Sequence, residues 1–521
     1  METKNNKTKA GIQIALIFLI MINLTTACQK QTKYDGDVKV EYTPRHVNLI
    51  RPIVEPERIY YLSLHEKRFK VLPEEMKKLI NLRRLVLAFP EIDNWEETAS
   101  VINSFSKLED LEISATELNS LPFNPEFLPY LKKLNLIATK GYSLDEEIDK
   151  ITQFDSLEFL CVSGHKTDHL PEKLADLENL KRFHFGYHAE GFDYERGIEI
   201  VSRLPKLEHV QFDKVEFETI PKSFSKLHHL KRLGFYNSAF DMKALLKQVK
   251  DWEDLEMLEF KYMDITTLPE SIIELESLKT LKLYDNPNLD HQKLFRQLSE
   301  LPHLEELVIS KTILQQQHDR FVMPRDLGGL KNLKRLNMAT SQNIVFDSLF
   351  DVLTKLPKLE YLSLKHVYPY FKMDDKNFGI PSNIKQMRSL KELDLERSFN
   401  SIFNEVDELP ELEKLNWANS STGQIPEVIL KTTSLKSLNL NSCELKELPK
   451  EIGNLTNLVH LDLGNNQLKD LPESITKLKN LRYLNLMGTH ISESEEKRKE
   501  IEEMLPNTLI FFGEYEAYEP L

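Results

Sequence analysis

Leucines return along the chain in a regular frame, which is clearest between Leu435 and Leu486. There the pattern L-x-x-L-x-L begins at Leu435, Leu458 and Leu481, a period of 23 residues. The alternating part of each frame predicts a short β-strand with its apolar side chains on one face. The L-P-x-x-I-x-x-L that follows predicts a helical or 3₁₀ return. One such unit cannot bury its leucines alone, so we expect stacked copies.

The frame has a further position that points to a known family. Cys443 and Asn466 stand three residues after the last leucine of two successive frames. The chain therefore resembles the leucine-rich repeat family, whose units of 20–29 residues follow L-x-x-L-x-L-x-x-N/C-x-L. The resemblance implies an α/β solenoid, or horseshoe, with a parallel concave β-sheet. Its convex returns would alternate between helices and leucine–proline turns.

About eighteen frames follow one another between Ile59 and Leu481, and two kinds alternate in the first half. Intervals of 23 residues alternate with intervals of 25–27 residues. The short repeats carry a proline turn, which suits the start of a return because proline lacks an N–H. The long repeats carry a helical stretch, for example residues 143–154.

Two helices have sequence signals for their first residues. Ser143 and Glu146 predict a capping box at the start of one convex helix. Ser492 and Glu495 predict a second box, on a helix that runs to Leu505 after the last frame. We expect this helix to belong to a C-terminal cap that covers the final leucines.

Residues 1–27 have the pattern of a secretory signal rather than of a repeat. Lys4, Lys7 and Lys9 precede a mostly apolar run at residues 10–24. That run is shorter than the ~20 residues of a spanning helix and is typical of a signal peptide.

The residues that follow resemble a bacterial lipobox. Residues 24–28 read LTTAC, and Thr25 stands where the lipobox usually has an aliphatic residue. The resemblance implies that Cys28 carries a lipid and becomes the N-terminus. Gln29 and Lys30 resemble the start of surface-export signals on Bacteroidota lipoproteins. The alternatives are an uncleaved anchor and an ordinary signal peptide.

These signals divide the chain into four parts. Residues 1–27 are predicted to be the signal peptide, and residues 28–57 a tether and N-terminal cap. The repeats occupy residues 58–487, and residues 488–521 form the C-terminal cap. The expected location is the cell envelope, where a lipid anchors the chain in the outer membrane, facing either the cell surface or the periplasm.

The chain is acidic. Its formal net charge is −14, and residues 1–27 carry +2, so the processed chain would carry −16. An acidic body argues against binding to a phosphate backbone. We therefore expect no nucleic-acid partner.

Charges alternate in sign at the residue after the first leucine of successive frames. Because neighbouring strands lie ~4.8 Å apart, we expect each cation to lie between two carboxylates, in a ladder that keeps the repeats in register. The series is Arg83, Glu109, Lys132, Glu158, Lys181, Glu208, Lys231, Glu256, Lys279, Glu305, Lys334, Glu360, Lys391, Glu413 and Lys436.

Catalytic signals are few. The sequence has no nucleotide-binding glycine loop, no G-x-S-x-G, no H-E-x-x-H and no C-x-x-C. Cys161 and His184 hold the same strand position in adjacent repeats, with Glu208 and His209 one repeat further on. Such a pair suits a nucleophile with its base or half of a soft metal site, although a chance pairing on a polar face is the simpler interpretation. We expect no enzyme, cofactor or metal.

Signals for binding a partner are stronger. Aromatic and histidine side chains occur at strand positions predicted to be exposed on the concave face, and aromatics are common anchors of protein interfaces. Three more aromatics lie in the longest insertion, and insertions in solenoids often bind. The candidates are Phe159, His184, His209, Tyr236, Tyr284, Tyr361, Tyr483, and Tyr368, Tyr370 and Phe371 of the insertion.

The sequence thus predicts a membrane-anchored, non-enzymatic scaffold that binds a protein through its concave face and insertion loops. The first alternative is a carbohydrate or cell-wall binder, which would use the same aromatics as stacking platforms. The second alternative is an enzyme that uses Cys161 and His184.

Overall fold

The computed structural model describes residues 59–65, 70–88, 92–114, 116–118, 120–137, 141, 143–164, 167–186, 191–313, 320–367, 379–398 and 405–513. The chain divides into two compact units, Met1–Lys132 and Lys133–Leu521. The predicted lipidation site at Cys28 and the insertion aromatics Tyr368, Tyr370 and Phe371 lie outside the described residues.

The described part of the first unit is built from three parallel strands and their returns. In chain order its elements are β1 (Tyr61–His65), a 3₁₀ helix (Glu74–Lys78), β2 (Arg84–Ala88), α1 (Trp95–Ile102), β3 (Asp110–Ser114) and a 3₁₀ helix (Pro125–Phe127). Leu62 pairs with Leu85, and Leu85 pairs with Leu111. The frame leucines of successive repeats therefore stack.

The second unit continues the same architecture through sixteen described strands. They are β4 (Lys133–Ile137), β5 (Phe159–Ser163), β6 (Arg182–Gly186), β7 (His209–Asp213), β8 (Arg232–Tyr236), β9 (Met257–Lys261), β10 (Thr280–Lys282), β11 (Glu306–Val308), β12 (Arg335–Asn337), β13 (Tyr361–Ser363), β14 (Glu392–Asp394), β15 (Lys414–Asn416), β16 (Ser437–Asn439), β17 (His460–Asp462), β18 (Tyr483–Asn485) and β19 (Leu509–Phe511). Each strand pairs in parallel with the next.

The returns between these strands are of the two predicted kinds. The α-helices are α2 (Leu144–Ile151), α3 (Tyr194–Val201), α4 (Met242–Val249), α5 (His291–Leu298), α6 (Phe346–Leu353) and α7 (Glu427–Lys431), followed after β18 by α8 (His490–Glu493) and α9 (Glu495–Met504). The 3₁₀ helices are Glu172–Asp176, Lys222–Leu227, Glu270–Glu274, Arg325–Gly329, Ser382–Gln386, Val406–Glu408, Lys450–Asn454 and Glu473–Lys477.

The core of the second unit is the leucine frame itself. Leu281, Leu307 and Leu336 pair across β10–β12, and none is measurably exposed. Each strand alone would leave its leucines in water, and the next repeat covers them. The predicted leucine-rich repeat solenoid with parallel strands and alternating returns is confirmed.

The asparagine of the frame joins neighbouring repeats. Asn466 accepts the backbone N–H groups of Cys443 and Leu445, each at 3.0 Å, and its amide donates to the carbonyl of Leu440 at 2.9 Å. Asn286 accepts two N–H groups of the preceding repeat in the same way. One buried side chain thereby satisfies backbone groups that the turn leaves without partners.

Strand length changes within the second unit. Strands β4–β9 have five residues, and β10–β19 have three. In β12–β18 the last strand residue is Asn, Asp or Ser, whose side-chain oxygen accepts the N–H two residues further on. These bonds join Asn337 to Ala339, Ser363 to Lys365, Asp394 to Glu396, Asn416 to Ala418, Asn439 to Asn441, Asp462 to Gly464 and Asn485 to Met487.

This turn accompanies the early end of β12–β18, although β10 and β11 also end after three residues, at Lys282 and Val308. The side chain takes an N–H that would otherwise continue the ladder to the preceding strand. At the same position β4–β9 carry Asn135, Cys161, His184, Gln211, Gly234 and Glu259. Apart from Asn135, these residues lack a side-chain oxygen at the short reach that the turn needs.

The alternating charges form pairs rather than a symmetric ladder. Except at Glu109, which contacts both Arg83 and Lys132, each contact among the described residues of the series joins a lysine to the glutamate of the preceding repeat. The contacts, at 2.6–3.4 Å, are Arg83–Glu109, Lys132–Glu109, Lys181–Glu158, Lys231–Glu208, Lys279–Glu256, Lys334–Glu305, Lys391–Glu360 and Lys436–Glu413.

As expected, Lys231 and Lys279 each lie between two carboxylates of neighbouring strands, but each contacts only the carboxylate of the preceding repeat. A lysine that leans toward one carboxylate moves away from the other. The second carboxylate still acts at longer range. At Lys231, the hydrogen bond to Glu208 raises the pKa most, and the charge of the more distant Glu256 raises it further. Because these side chains are half exposed, each pair adds little to stability.

The two predicted capping boxes need correction. Ser143 precedes α2, but its side chain makes no capping hydrogen bond. Before α9, the N-cap is Ser494, which accepts the N–H of Lys497 at 3.3 Å, and not Ser492. Ser492 lies inside the short helix α8, and its N–H donates to the side chain of Thr489, the N-cap of that helix. No helix in the described part of the chain combines the length and apolar character needed to cross a bilayer.

Candidate functional site

Side chains along each strand alternate between the leucine core and the opposite face of the sheet, which we call the open face. In β5 the open face receives Phe159, Cys161 and Ser163, whereas Leu160 and Val162 enter the core. These three positions define a first, second and third row that run across the strands. The sequence predicts the partner-binding site on this face.

The open face of β4–β9 is closed by its own side chains. Every second-row residue there is buried, and His184, for example, is 7% exposed. The five-residue strands hold three rows in register, so each side chain is covered by lateral neighbours ~4.8 Å away. A partner therefore meets little of the second row.

The predicted Cys161–His184 neighbour pair is present, but it is inaccessible. The two residues pair in register across β5 and β6, and Cys161 is 2% exposed. Burial, followed by the charges of His209 and Arg182, lowers the pKa of His184 well below its ordinary value. Its imidazole is neutral at pH 7, and its Nε2 has no hydrogen-bond partner among the described residues.

Glu208 and His209, one repeat further on, contact different groups. The His209 ring packs edge-on to His184, with ring centroids 5.2 Å apart, and burial lowers the pKa of His209 to about 3. Glu208 instead belongs to the charge pairs and contacts Lys231 at 2.7 Å. The carboxylate and the imidazoles therefore do not form one catalytic group.

Two buried carboxylates lie on the same closed surface. Burial raises the pKa of Asp213 to about 6, although Gln211 donates to its Oδ1 at 2.8 Å. Burial would also raise the pKa of Glu259, but Lys261, 2.7 Å away, and Lys282 overcome this effect and hold it at about 2.

Two predicted aromatic anchors are not exposed. Phe159 is 2% exposed because its ring packs against His184 at 4.8 Å and lies beneath the guanidinium of Arg182 at 5.1 Å. Tyr236 is 4% exposed and packs against the ring of Tyr262 at 5.2 Å. The prediction that these side chains project into solvent is wrong, because neighbouring side chains pack over them.

Three other predicted tyrosines are half-buried, and each is covered by a neighbour. Lys311 lies over the ring of Tyr284 at 5.5 Å. The guanidinium of Arg335 lies 3.9 Å from the ring centroid of Tyr361. Tyr483 stacks on the ring of His460 at 4.7 Å, with 4° between the ring planes.

The open face of β12–β18 is more accessible. Its first row is half-buried or exposed at every strand, and its second row is half-buried except at Ser363. The early end of these strands removes the third row from the sheet and leaves the first two rows less crowded. This surface is polar and mixed in charge.

A cluster around Asp462 is the best organised part of this surface. Its Oδ1 accepts the N–H of Gly464 at 2.9 Å, the amide of Asn441 at 3.2 Å and the amide of Asn485 at 2.9 Å. A Cβ at Gly464 would lie 2.6 Å from Asn441 Nδ2 and 2.8 Å from Asn485 Nδ2. Glycine at this position therefore leaves room for the two amides to reach Asp462.

Sequence reasoning missed His460 and Asp462. The available signal is positional, because His460 occupies the same first-row place as the predicted Tyr361 and Tyr483. Within the described ranges, no group of three or more His, Cys, Asp or Glu side chains is placed to hold a metal ion.

Comparisons with known proteins agree with the repeats. A profile of leucine-rich repeat regions matches residues 219–378 and 418–505. Over 193 residues, 36% of this chain, the sequence is 30% identical to a probable serine/threonine-protein kinase, pats1, of Dictyostelium discoideum. The chain spans about 6% of the length of that curated relative.

A solved structure, that of the leucine-rich repeat protein LIC12759 of Leptospira interrogans, is similar at 24% sequence identity and a TM-score of 0.38. The similarity covers 91% of this chain and 100% of that chain. The recurring frame, the parallel strands and the profile match together show that this chain contains leucine-rich repeats.

Proposed function

We propose that the chain is a non-enzymatic scaffold that binds a protein through the open face of β10–β18. The observation that carries the proposal is the accessible first row, which is continuous across nine parallel strands. Eight strand spacings of ~4.8 Å make this row about 38 Å long, a length that suits a protein-sized partner.

The two alternatives have less support. A carbohydrate binder would stack sugars on the predicted tyrosines, but Arg335 covers Tyr361 and His460 covers one face of Tyr483. An enzyme that used Cys161 would need an accessible thiol, and this side chain is 2% exposed.

A photo-cross-linking amino acid at single positions tests the proposal in source cells. We expect Thr280 and Ser437, both on the open face, to capture the same protein. Glu473, on the return after β17, and Lys243, on α4, are the matched controls, since both are exposed on the returns. Capture from the controls as strong as from the open face would contradict the proposal.

We further propose that a lipid on Cys28 holds the scaffold at the outer membrane. Support comes from the sequence of residues 1–28 alone. Protease treatment of intact cells, with a Cys28→Ala control, tests this anchor. We expect the native chain to be digested on whole cells and the variant to be released. If the native chain survives until the envelope is broken, the repeats face the periplasm.

A further inference from the structure

A slot opens on the open face above Ser437 of β16. The lateral neighbours of Ser437 are Lys414 of β15 and His460 of β17. Lys414 leans away from the slot, because its Nζ contacts Glu392 of β14 at 2.7 Å. The short serine thus leaves a gap two strand spacings wide, about 9–10 Å between flanking backbones.

One wall of the slot is an aromatic ring held in place. His460 is exposed, and one face of its ring stacks on Tyr483. Its other face turns toward Ser437, whose side chain is too small to cover it. Burial against its neighbours and the charge of Lys414 lower the pKa of His460, so the ring is neutral at pH 7.

An oriented carboxylate lies beside the slot, in the second row of β17. Three donors, from Gly464, Asn441 and Asn485, converge on Oδ1 of Asp462. Among the described residues, none donates to its Oδ2, and no cation lies within 4 Å. The second oxygen is therefore oriented by the protein and left for a ligand.

The charge around the slot selects the sign of that ligand. The open-face rows of β14–β18 carry three carboxylates, Glu392, Asp394 and Asp462, and one lysine, Lys414. Glu392 is paired with Lys414, whereas Asp462 is held by neutral donors. An anionic ligand would be repelled, and a cation would be attracted.

We propose that this slot binds an arginine side chain of a protein partner. The guanidinium stacks on the free face of His460 above Ser437 and donates a hydrogen bond to Oδ2 of Asp462. A planar cation fits both requirements, because guanidinium stacks on ring faces and forms charge-assisted hydrogen bonds. An ammonium satisfies only the second. The inference rests on the proposed protein-binding function and names the chemistry of one contact.

A short peptide probe tests the slot directly. The probe is acetyl-Gly-Arg-Gly-Arg-Gly-amide, and its controls carry lysine or citrulline, the neutral isostere of arginine. Binding to the full chain is followed through the ring signals of His460 by NMR. We expect the arginine peptide to shift those signals, the lysine peptide to bind at least threefold more weakly, and the citrulline peptide to cause no shift.

Three variants locate the contact. Asp462→Asn should weaken arginine-peptide binding about tenfold or more, and Ser437→Leu, which fills the slot, should abolish it. Glu473→Gln removes the same charge from the exposed return of the next repeat and should change the affinity less than twofold. Because Ser437→Leu leaves the hydrogen bonds of Asp462 intact, it keeps the test decisive if Asp462→Asn does not fold.

Three results would overturn the inference: citrulline binding equal to arginine binding, an unmoved His460, or equal effects of Asp462→Asn and Glu473→Gln. Failure of the peptide test, with the cross-linked partner still captured at Ser437 and Thr280, would reject the arginine slot alone. Failure of both experiments would reject the binding face as well.

Discussion

Two segments of the second unit use the same leucine frame and present different surfaces. Strands β4–β9 are five residues long, and their second row is buried. Strands β12–β18 are three residues long, and most of their second row is half-buried. The core leucines do not explain the difference, because both segments bury them fully.

The residue in the second row differs between the two segments. Asn, Asp or Ser in β12–β18 bonds its own backbone two residues on and ends the strand, as Asn439 does with Asn441 at 3.0 Å. At His184 and Gln211, which cannot form this turn, the ladder continues and a third row packs above the core. The turn is one cause among others, because β4 continues past Asn135 and β10 and β11 end at Lys282 and Val308.

The segments also differ in how repeats are joined at the turn, and the largest effect that we expect comes from this difference. Asn466→Ala removes five hydrogen bonds to backbone groups. Because these buried groups lose their partners, we expect a loss of about 2–4 kcal/mol in the free energy of unfolding. Urea denaturation measures it.

The matched change in the five-residue segment is Ser238→Ala. Ser238 accepts the N–H of Val215 at 3.1 Å and donates to the carbonyl of Tyr236 at 2.9 Å. We expect a loss of about 1 kcal/mol, since fewer groups are left without partners. Equal losses at Ser238 and Asn466 would contradict the idea that asparagine joins the repeats more strongly.

Burial of the open face in the five-residue segment predicts a dependence on pH. The pKa of Asp213 is about 6 in the folded chain, against an ordinary value of 3.8. As the pH rises, the unfolded chain releases this proton first, so stability is lost between about pH 4 and pH 6. Asp213→Asn keeps an oxygen that can accept from Gln211, and we expect it to stabilise the protein at pH 7.5 by about 1–3 kcal/mol.

The same substitution at Asp394 sharpens the comparison. Burial raises the pKa of Asp394 as well, but this side chain is half-buried and bonds Ser363 and Asn416. We expect Asp394→Asn to have a smaller effect at pH 7.5. Thermal unfolding at pH 4 and pH 7.5 measures both variants. A benefit of Asp213→Asn that is the same at both pH values would rule out the titration.

The sequence alone predicts the repeated strands and both kinds of return, because the leucine frame reports directly on what is buried. It predicts less about the open face. Whether Phe159 is exposed depends on His184 and Arg182, which lie 23–25 residues away and become its neighbours only in the folded sheet. Burial on this face is a property of three adjacent repeats.

Sequence reasoning also predicts a wrong helix cap and misses the Asp462 cluster. Ser143 matches the pattern of a capping box, but the carbonyl of Ser143 and not its side chain bonds the turn. The Asp462 cluster could not be found from one repeat, because its donors come from Asn441 and Asn485 on either side. The recurrence of Asn and Asp at the end of β14–β18 is the signal that could have been used.

A smaller effect tests the turn that ends the short strands. Asn439→Ala removes the acceptor for the N–H of Asn441, so we expect a loss of about 1 kcal/mol. We also expect faster hydrogen exchange at the backbone amide of Asn441, which donates to this side chain. Gln211→Ala is the control, since Gln211 bonds a side chain and no backbone group. Slow exchange at Asn441 in the variant would show that the strand ends for another reason.

The smallest effect that we expect concerns the charge pairs that run beside both segments. Reversal of Lys231 and Lys279 to Glu places five glutamates in succession, from Glu208 to Glu305, where pairs at 2.6–2.7 Å now stand. Because these side chains are half exposed, we expect a fall of only about 1–3 °C in melting temperature, and less in high salt. Reversal of Lys243 and Lys247, exposed on α4, adds the same charge away from the pairs. If both double variants melt at the same temperature, net charge and not pairing between repeats accounts for the effect, and the alternation has no role in keeping the repeats in register.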